Sequence, residues 1–413
     1  MSETKPGAKS SMLSVDEALS YLLEQARPLA EVETVETIAA LGRVLAEPLR
    51  SQLTVPPLDN SSMDGYAVRV ADMNAAGPTR LPVSQRIAAG HVGQALIPGT
   101  AARIFTGAPI PPGADAVVMQ EECTADGSDV VISRIARMGE SIRRAGEDIQ
   151  AGAQILAAGT RIGPGEMGLA ASVGIARIPV YRRLRVATFY TGDEIVMPGE
   201  PLAAGQIYNS NRYSLTGLLQ SMGCEVIELG NVPDNPDETV RALSQAAQQA
   251  DLVITSGGVS VGEEDHVKAA VEQVGQLDMW RIAMKPGKPL AFGTALGTPF
   301  IGLPGNPVST FVTFCLFVRP FILRRQGVWE IAPKHFNVRA DFVWPKAGAR
   351  REYLRARLQQ GEDGMVGVGI YPNQSSGVLT SVVWGDGLVD LAVGETVQPG
   401  QPVRFIPFSE LTR

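Results

Sequence analysis

The sequence predicts a multidomain protein of α/β plus β class, and three observations carry that prediction. The chain has 413 residues, too many for one ordinary hydrophobic core, so roughly two to four domains are expected. Between residues 183 and 328, short apolar β-branched runs alternate with segments of helical period, as in a three-layer α/β domain with a mostly parallel sheet. On both sides of that block the period falls to two and turns carry Gly or Pro, which reads as β structure.

In the central block, Leu184 to Tyr190 reads as a strand, Arg212 to Met222 as a helix stopped by Gly223, and Cys224 to Leu229 as the next strand. Asn235-Pro236 opens a helix with Pro at its first position and Glu238 in its first turn. Leu252 to Thr255 is short, apolar and partly β-branched, and it stops at Ser256-Gly257-Gly258, a buried strand entering a tight loop. A helix is expected from Val261 to Gly275, with Val267, Ala270, Val271 and Val274 on one face and Gly275 as its stop. Strands are expected at Met279 to Met284, Leu290 to Phe292 and Pro299 to Ile301, and a last helix from Asn306-Pro307 to about Gln326.

The glycine loop is the first candidate site. Glycines between a strand and a helix start let backbone N–H groups approach an anion, and the helix terminus adds partial positive charge. Glu263, Glu264 and Asp265 follow on the same turn and would repel a bare phosphate, so the stretch reads as an anion site that includes a divalent cation. Four further polar or glycine-rich segments follow predicted strands: Thr191 to Glu194, Asn231 to Asp234, Lys285 to Lys288 and Leu303 to Pro307. Ligands of open α/β sheets bind outside the carboxyl ends of the strands, so these loops point to one site.

Ahead of this block, Ser14 and Glu17 form a capping box for a helix lined by Val15, Ala18, Leu19, Leu22, Leu23 and Ala26. A polar segment, Asp59 to Ala67, turns at Asp64-Gly65 and enters a strand. Residues 80 to 150 alternate as in a small β domain, which holds the proline-stiffened loop Thr106 to Gly113. A second loop, Ile142 to Asp148, sets two cations beside two acids, as surface ion pairing would. Gly163 to Gly168 matches G-x-G-x-x-G, but Pro164 holds the second position and no acid follows at a strand end about 20 residues on, so a dinucleotide site is rejected. After Ile331 alternation returns through Phe405, as in a terminal barrel or sandwich, and one of Arg350, Arg351, Arg355 and Arg357 aimed at the cleft would hold an oxyanion.

The totals exclude several classes. A net charge of −7 argues against a nucleic-acid binder. No apolar run is read as long enough to span a bilayer, and Met1 to Ser11 lacks the apolar core of a leader, so a cytoplasmic chain is expected. Three cysteines, Cys123, Cys224 and Cys315, stand far apart without metal or redox spacing and are expected to be buried thiols. With three histidines, chemistry must rest on carboxylates, Lys and Arg.

Taken in order, Asp59-Asn-Ser-Ser-Met-Asp-Gly-Tyr-Ala, Thr106-Gly-Ala-Pro, Arg144-Ala-Gly-Glu-Asp, Thr191-Gly-Asp-Glu, the run from Thr255 to Asp265, Lys285-Pro-Gly-Lys-Pro and Leu303-Pro-Gly-Asn-Pro-Val-Ser309 closely resemble the MoeA family of molybdopterin molybdenumtransferases, to which the gephyrin E domain also belongs. The resemblance implies insertion of molybdate into adenylylated molybdopterin, dependent on Mg²⁺, with release of AMP and displacement of copper from the dithiolene. It implies a homodimer whose cleft draws on both subunits. It also implies a fourfold division: an elongated amino-terminal α+β domain (1–50 and 143–182), a small inserted β domain (51–142), the α/β molybdopterin-binding domain (183–328) and a carboxy-terminal β-barrel (329–413).

By the same resemblance Glu194, Asp234 and Asp265 are the essential acids that hold the metal, and Asp59, Thr106 and Asp148 are catalytic residues outside the α/β unit. Ser256, Gly257, Gly258, Ser260, Pro304, Gly305, Asn306 and Pro307 then bind pterin and nucleotide. Arg281, Lys285, Lys288, Ser309, Arg355 and Ser376 form the molybdate and phosphate pocket. Two departures stand out: Arg281 where many relatives carry lysine, and Trp384 where a small residue is commoner. The implied partners are molybdopterin adenylyltransferase and molybdoenzyme maturation proteins. A non-catalytic scaffold and molybdopterin adenylylation are the alternatives.

Overall fold

The computed structural model describes residues 12–233, 235–258, 266–361 and 363–413. At its centre six strands lie in the order Glu225–Val232, Arg185–Thr191, Leu252–Ser256, Thr298–Leu303, Pro289–Ala295 and Gly275–Arg281. The first four are parallel. Pro289–Ala295 runs antiparallel to both its neighbours, so five of the six point one way.

Alternation along these strands feeds two apolar cores. Val186 and Tyr190 pack with Leu215, Leu218 and Leu219 of the helix Ser210–Ser221, and with Val308, Val312 and Phe321. Ala187 and Phe189 face the other way, onto Leu243 and Ala246 of the helix Pro236–Gln249 and onto Val267, Ala270 and Val271 of the helix His266–Val274. Every residue of Leu252–Ser256 is buried, which explains the apolar run Leu252-Val-Ile254 that opens it.

The helix His266–Val274 ends at Gly275 as read, but Gly275 is at the same time the first residue of a strand, which the sequence did not mark. A Cβ there would stand 1.8 Å from the Thr294 carbonyl oxygen, so close approach of the antiparallel neighbour requires glycine. The first turn expected for the preceding helix, from Val261 to Asp265, lies outside the described residues. The last helix has the expected bounds and runs through Pro307–Thr313, a π-helical turn at Phe314–Val318 and Arg319–Arg325. By length and composition Pro307–Arg325 is apolar enough to cross a membrane, contrary to expectation, but 89% of it is buried inside the chain. Its hydropathy is that of a core helix packed on both the sheet and the terminal domain.

The carboxy-terminal region is a closed barrel of five strands, Phe336–Ala340, Arg351–Gln360, Val366–Ile370, Gly387–Leu391 and Pro402–Pro407. Pairing of Arg351–Gln360 with two neighbours, Val366–Ile370 and Gly387–Leu391, closes it. A short strand from the α/β unit, Met284–Lys285, joins this barrel in parallel to Arg351 and Glu352.

Toward the amino terminus, distant segments share one core: Ala40, Leu45 and Leu49 with Leu156, Ile162, Ala170, Ile178 and Val180. The helix Val15–Gln25 carries the expected Ser14/Glu17 capping box, and its buried face joins the α/β core. The inserted β unit is a six-stranded sheet ordered Ala116–Met119, Gly65–Val68, Ala101–Ile104, Thr79–Ile87, Asp129–Ile132 and Cys123–Asp126. Cys224 and Cys315 are buried, and burial pushes each thiol up to about 12; Cys123 is half-buried, contrary to expectation, and burial pushes it up to about 11.

Asp251 ties the amino-terminal connection to the sheet. Its carboxylate accepts Arg182 Nη1 at 2.6 Å, Arg182 Nη2 at 2.8 Å and the Arg185 N–H at 2.8 Å. Burial alone would push this carboxyl up, but the Arg182 and Arg185 donors outweigh it and hold the group below the ordinary carboxylate value. A depressed folded-state value means that the contribution to stability is complete above the unfolded value, about 3.9, and is lost as pH falls through the folded one. Asp251→Asn is expected to cost about 2 kcal/mol at neutral pH. Urea titrations should show that gap closing in acid; a gap that stays constant down to pH 2 contradicts the assignment.

Candidate functional site

A cleft of about 780 Å³ opens at the carboxyl edge of the parallel strands. Glu194, Ser256, Gly257, Gly258, Pro304, Gly305, Asn306, Pro307 and Ser309 all line it, so the structure brings together nine residues that the sequence singled out. A second cavity of about 400 Å³ adjoins it and is lined by Lys285, Lys288, Arg350, Gln374, Ser375 and Ser376 among others. Pro289, Asn306 and Ser309 line both, so the two cavities lie side by side.

Glycine is required on the floor. Gly257 has φ +95°, and a Cβ there would meet the Thr191 carbonyl oxygen at 2.8 Å; at Gly258, with φ +64°, it would meet Val267 Cγ2 at 2.6 Å. The loops are cross-braced by side chains. Asn211 Nδ2 donates to Ser256 Oγ at 2.8 Å and to the Gly305 carbonyl at 2.7 Å, while Ser256 Oγ donates to the Pro304 carbonyl at 3.0 Å. Two helices begin here. Asn209 caps one by accepting the Arg212 N–H at 3.0 Å, and Pro307 starts the other. Their amino termini direct partial positive charge into the cleft, which suits a phosphorylated ligand. On one wall the short parallel pair Ile195–Val196 and Ile207–Tyr208 presents Ile195, Ile207 and Tyr208, an apolar surface for a planar ring.

Asn209 and Asn211 escaped the sequence reading. The signal was the polar run Asn209-Ser210-Asn211 at a helix start, and Asn211 Oδ1 is buried without a hydrogen-bond partner. Of Arg350, Arg351, Arg355 and Arg357, Arg350 is the one that lines the second cavity, and its Nη1 donates to the Met284 carbonyl at 3.2 Å. Arg355 lines neither cavity. It is 1% exposed and donates to Ser381 Oγ at 3.1 Å and to the Tyr353 and Ser375 carbonyls at 3.3 Å. Burial pushes its guanidinium down to about 10. From beneath, it holds the loop that carries Ser375 and Ser376.

Arg281 ends its strand exposed and lines neither cavity. Trp384 sits at the barrel surface, 5.3 Å from the Tyr371 ring and 5.9 Å from the Arg357 guanidinium. Asp234, Ser260 and Asp265 lie outside the described residues. Among the described residues no group of three or more His, Cys, Asp or Glu side chains is placed to hold a metal.

Asp59, Thr106 and Asp148 belong to one cluster in the amino-terminal half. Asp59 accepts Arg144 Nη1 at 2.6 Å and the Ala145 N–H at 2.8 Å, which hold its carboxyl below the ordinary value. Arg144 therefore pairs across to Asp59 rather than inside its own loop. Thr106 donates through N and Oγ1 to Asp64 Oδ1, both at 2.8 Å. Backbone pairing of Asn60–Ser61 with Ile142–Arg143 brings the loops together, and Asp148 is exposed beside them. None of the three lines either cavity of its own chain.

Family models match in three consecutive segments: "MoeA N-terminal region (domain I and II)" over residues 13–174, "Probable molybdopterin binding domain" over 187–324 and "MoeA C-terminal region (domain IV)" over 337–408. A molybdopterin molybdenumtransferase of Haemophilus influenzae is 42% identical over 406 residues, covering 97% of this chain and 100% of that one. Its counterpart in Bacillus subtilis is 34% identical over 90% of this chain and 88% of its own. The solved molybdopterin biosynthesis MoeA protein of Pyrococcus horikoshii OT3 superposes with a TM-score of 0.82 at 28% identity, covering 96% of this chain and all of that one. Matched from end to end in this way, the chain belongs to the MoeA family of molybdopterin molybdenumtransferases.

Proposed function

We propose that this chain inserts molybdate into adenylylated molybdopterin and releases AMP, the last step of molybdenum cofactor synthesis. The observation that carries the reading is the adjacency of the two cavities. A glycine-floored cleft with helix amino termini suits an organic phosphate ester, and beside it, sharing Asn306 and Ser309, lies a pocket edged by Lys285, Lys288 and Arg350 that suits a tetrahedral oxyanion. In this reading an oxygen nucleophile, water or molybdate, attacks phosphorus of the anhydride beside the basic residues and AMP leaves, while the two dithiolene sulfurs release copper as a free ion and bind molybdenum, whose displaced oxo group leaves as water with no change of oxidation state.

Glu194 supplies a hard oxygen donor at the cleft, the chemistry Mg²⁺ prefers, and with Asp234 and Asp265 it is our choice of ligand set. Bound there, Mg²⁺ would neutralise phosphate charge as AMP departs. The division into 1–50 with 143–182, 51–142, 183–328 and 329–413, and a cytoplasmic location, belong to the same reading. So does a homodimer: Asp59, Thr106 and Asp148 line neither of the two cavities, and we assign them to the partner's cleft. A scaffold without chemistry would have no need of Glu194 at the cleft.

Subunit mixing tests the composite site. Glu194→Gln and Asp59→Ala proteins are each expected to be inactive in activating an apo-molybdoenzyme. After subunit exchange the mixture should regain about a quarter of wild-type activity, since half the dimers then hold one intact site of two. No recovery despite demonstrated exchange would place both residues in the same site.

A further inference from the structure

Glu352 is a carboxylate buried to 6% exposure immediately behind the basic cavity. The parallel pairing of Met284–Lys285 with Arg351–Glu352 sets Lys285 directly opposite it, and Lys285 Nζ stands 3.3 Å from its Oε2. Other cations nearby do not account for it. Arg351 has its own carboxylate, Asp390, engaged through two bonds of 2.7 Å. Arg355 is satisfied by a hydroxyl and two carbonyls. Lys288 and Arg350 line the cavity, and Lys285 is the cation paired with Glu352 among the described residues.

A negative charge behind an anion site opposes the anion. The Lys285 ammonium shares its donors with Glu352, and an arriving dianion must compete for them while feeling the carboxylate through a few ångströms of low-dielectric interior. We propose that Glu352 is a built-in counter-ion that weakens the hold of the basic cavity on a tetrahedral oxyanion, so that the anion exchanges and passes on rather than remaining trapped. The proposal rests on the reading of this cavity as an oxyanion pocket. It makes Glu352 a positioning residue that acts through Lys285 and sets affinity.

The test is equilibrium binding of molybdate, sulfate and inorganic phosphate to the full chain at fixed ionic strength. Glu352→Gln keeps the shape and removes the charge, and it is expected to tighten molybdate and sulfate about tenfold or more, with a steeper salt dependence. Glu352→Asp keeps the charge and should stay within about threefold of the unaltered protein. Glu352→Leu, also uncharged, should tighten binding as Gln does, and it carries the test if the Gln protein does not fold. A residue that merely held the pocket in shape would act with the opposite sign, so unchanged or weaker binding in both uncharged variants overturns the proposal. If the unaltered protein binds sulfate but not molybdate, the substrate reading fails while Glu352 is judged on sulfate. If it binds no tetrahedral anion, both fall.

Discussion

Gly257→Ala is expected to destabilise the protein by about 2 kcal/mol or more and to weaken nucleotide binding at least 100-fold. The backbone at Gly257 sits at φ +95°, a region L side chains rarely adopt, and the new methyl would lie 2.8 Å from the Thr191 carbonyl oxygen. That oxygen belongs to a strand end buried in the sheet, so the loop must move instead. Moving it shifts the backbone donors on the floor and breaks the register with the Gly305 loop, whose contact to Ser256 runs through Asn211. Gly217→Ala is the matched control. Its Cβ meets nothing within 4 Å on the exposed side of the helix Ser210–Ser221. It should stabilise by up to about 1 kcal/mol with affinity unchanged. Chemical denaturation and nucleotide titration of the two variants decide the matter, and equal effects at both positions would remove the argument from the floor.

Lys285→Ala should have the larger effect on activity. It removes a cation from the basic cavity and at the same time leaves Glu352 buried without its ion-pair partner. We expect the molybdate dependence of turnover to shift by about 100-fold or more. Stability should fall by only about 1–2 kcal/mol, because Lys285 is half exposed and the pair is partly screened. The double variant Lys285→Ala with Glu352→Gln separates the two consequences. It should recover most of the lost stability and only the roughly tenfold part of the molybdate shift that the unpaired carboxylate causes, leaving the part that belongs to the missing ammonium. Full recovery of both would mean that Lys285 serves only to neutralise Glu352.

How far the sequence reached can be judged residue by residue. Loops at strand ends were legible because each combines glycine or proline with polar residues after an apolar run. Nine such residues do meet in one cleft. The capping box at Ser14 was legible because it is a purely local pattern. What escaped depends on partners far away in the chain. Gly275 does end a helix, but that it also opens a strand shows only once Thr294 is known to lie against it. The antiparallel course of Pro289–Ala295 follows from a hairpin-like return that composition alone does not mark. Arg355 and Arg350 look alike as surface-type arginines. Only the closed barrel buries one beneath the Ser375 loop and turns the other toward the cavity. Glu352 carried no motif at all, and its role arises from a two-residue strand that joins two domains.

The most direct measurement of the central claim is a single-turnover reaction of the purified chain with adenylylated molybdopterin and Mg²⁺ over graded molybdate, following AMP and molybdenum-loaded product together. Saturable, molybdate-dependent release of one AMP for each molybdenum incorporated is the predicted result. Binding of the adenylylated pterin without AMP release, AMP release indifferent to molybdate, or formation of adenylylated pterin from ATP would contradict it.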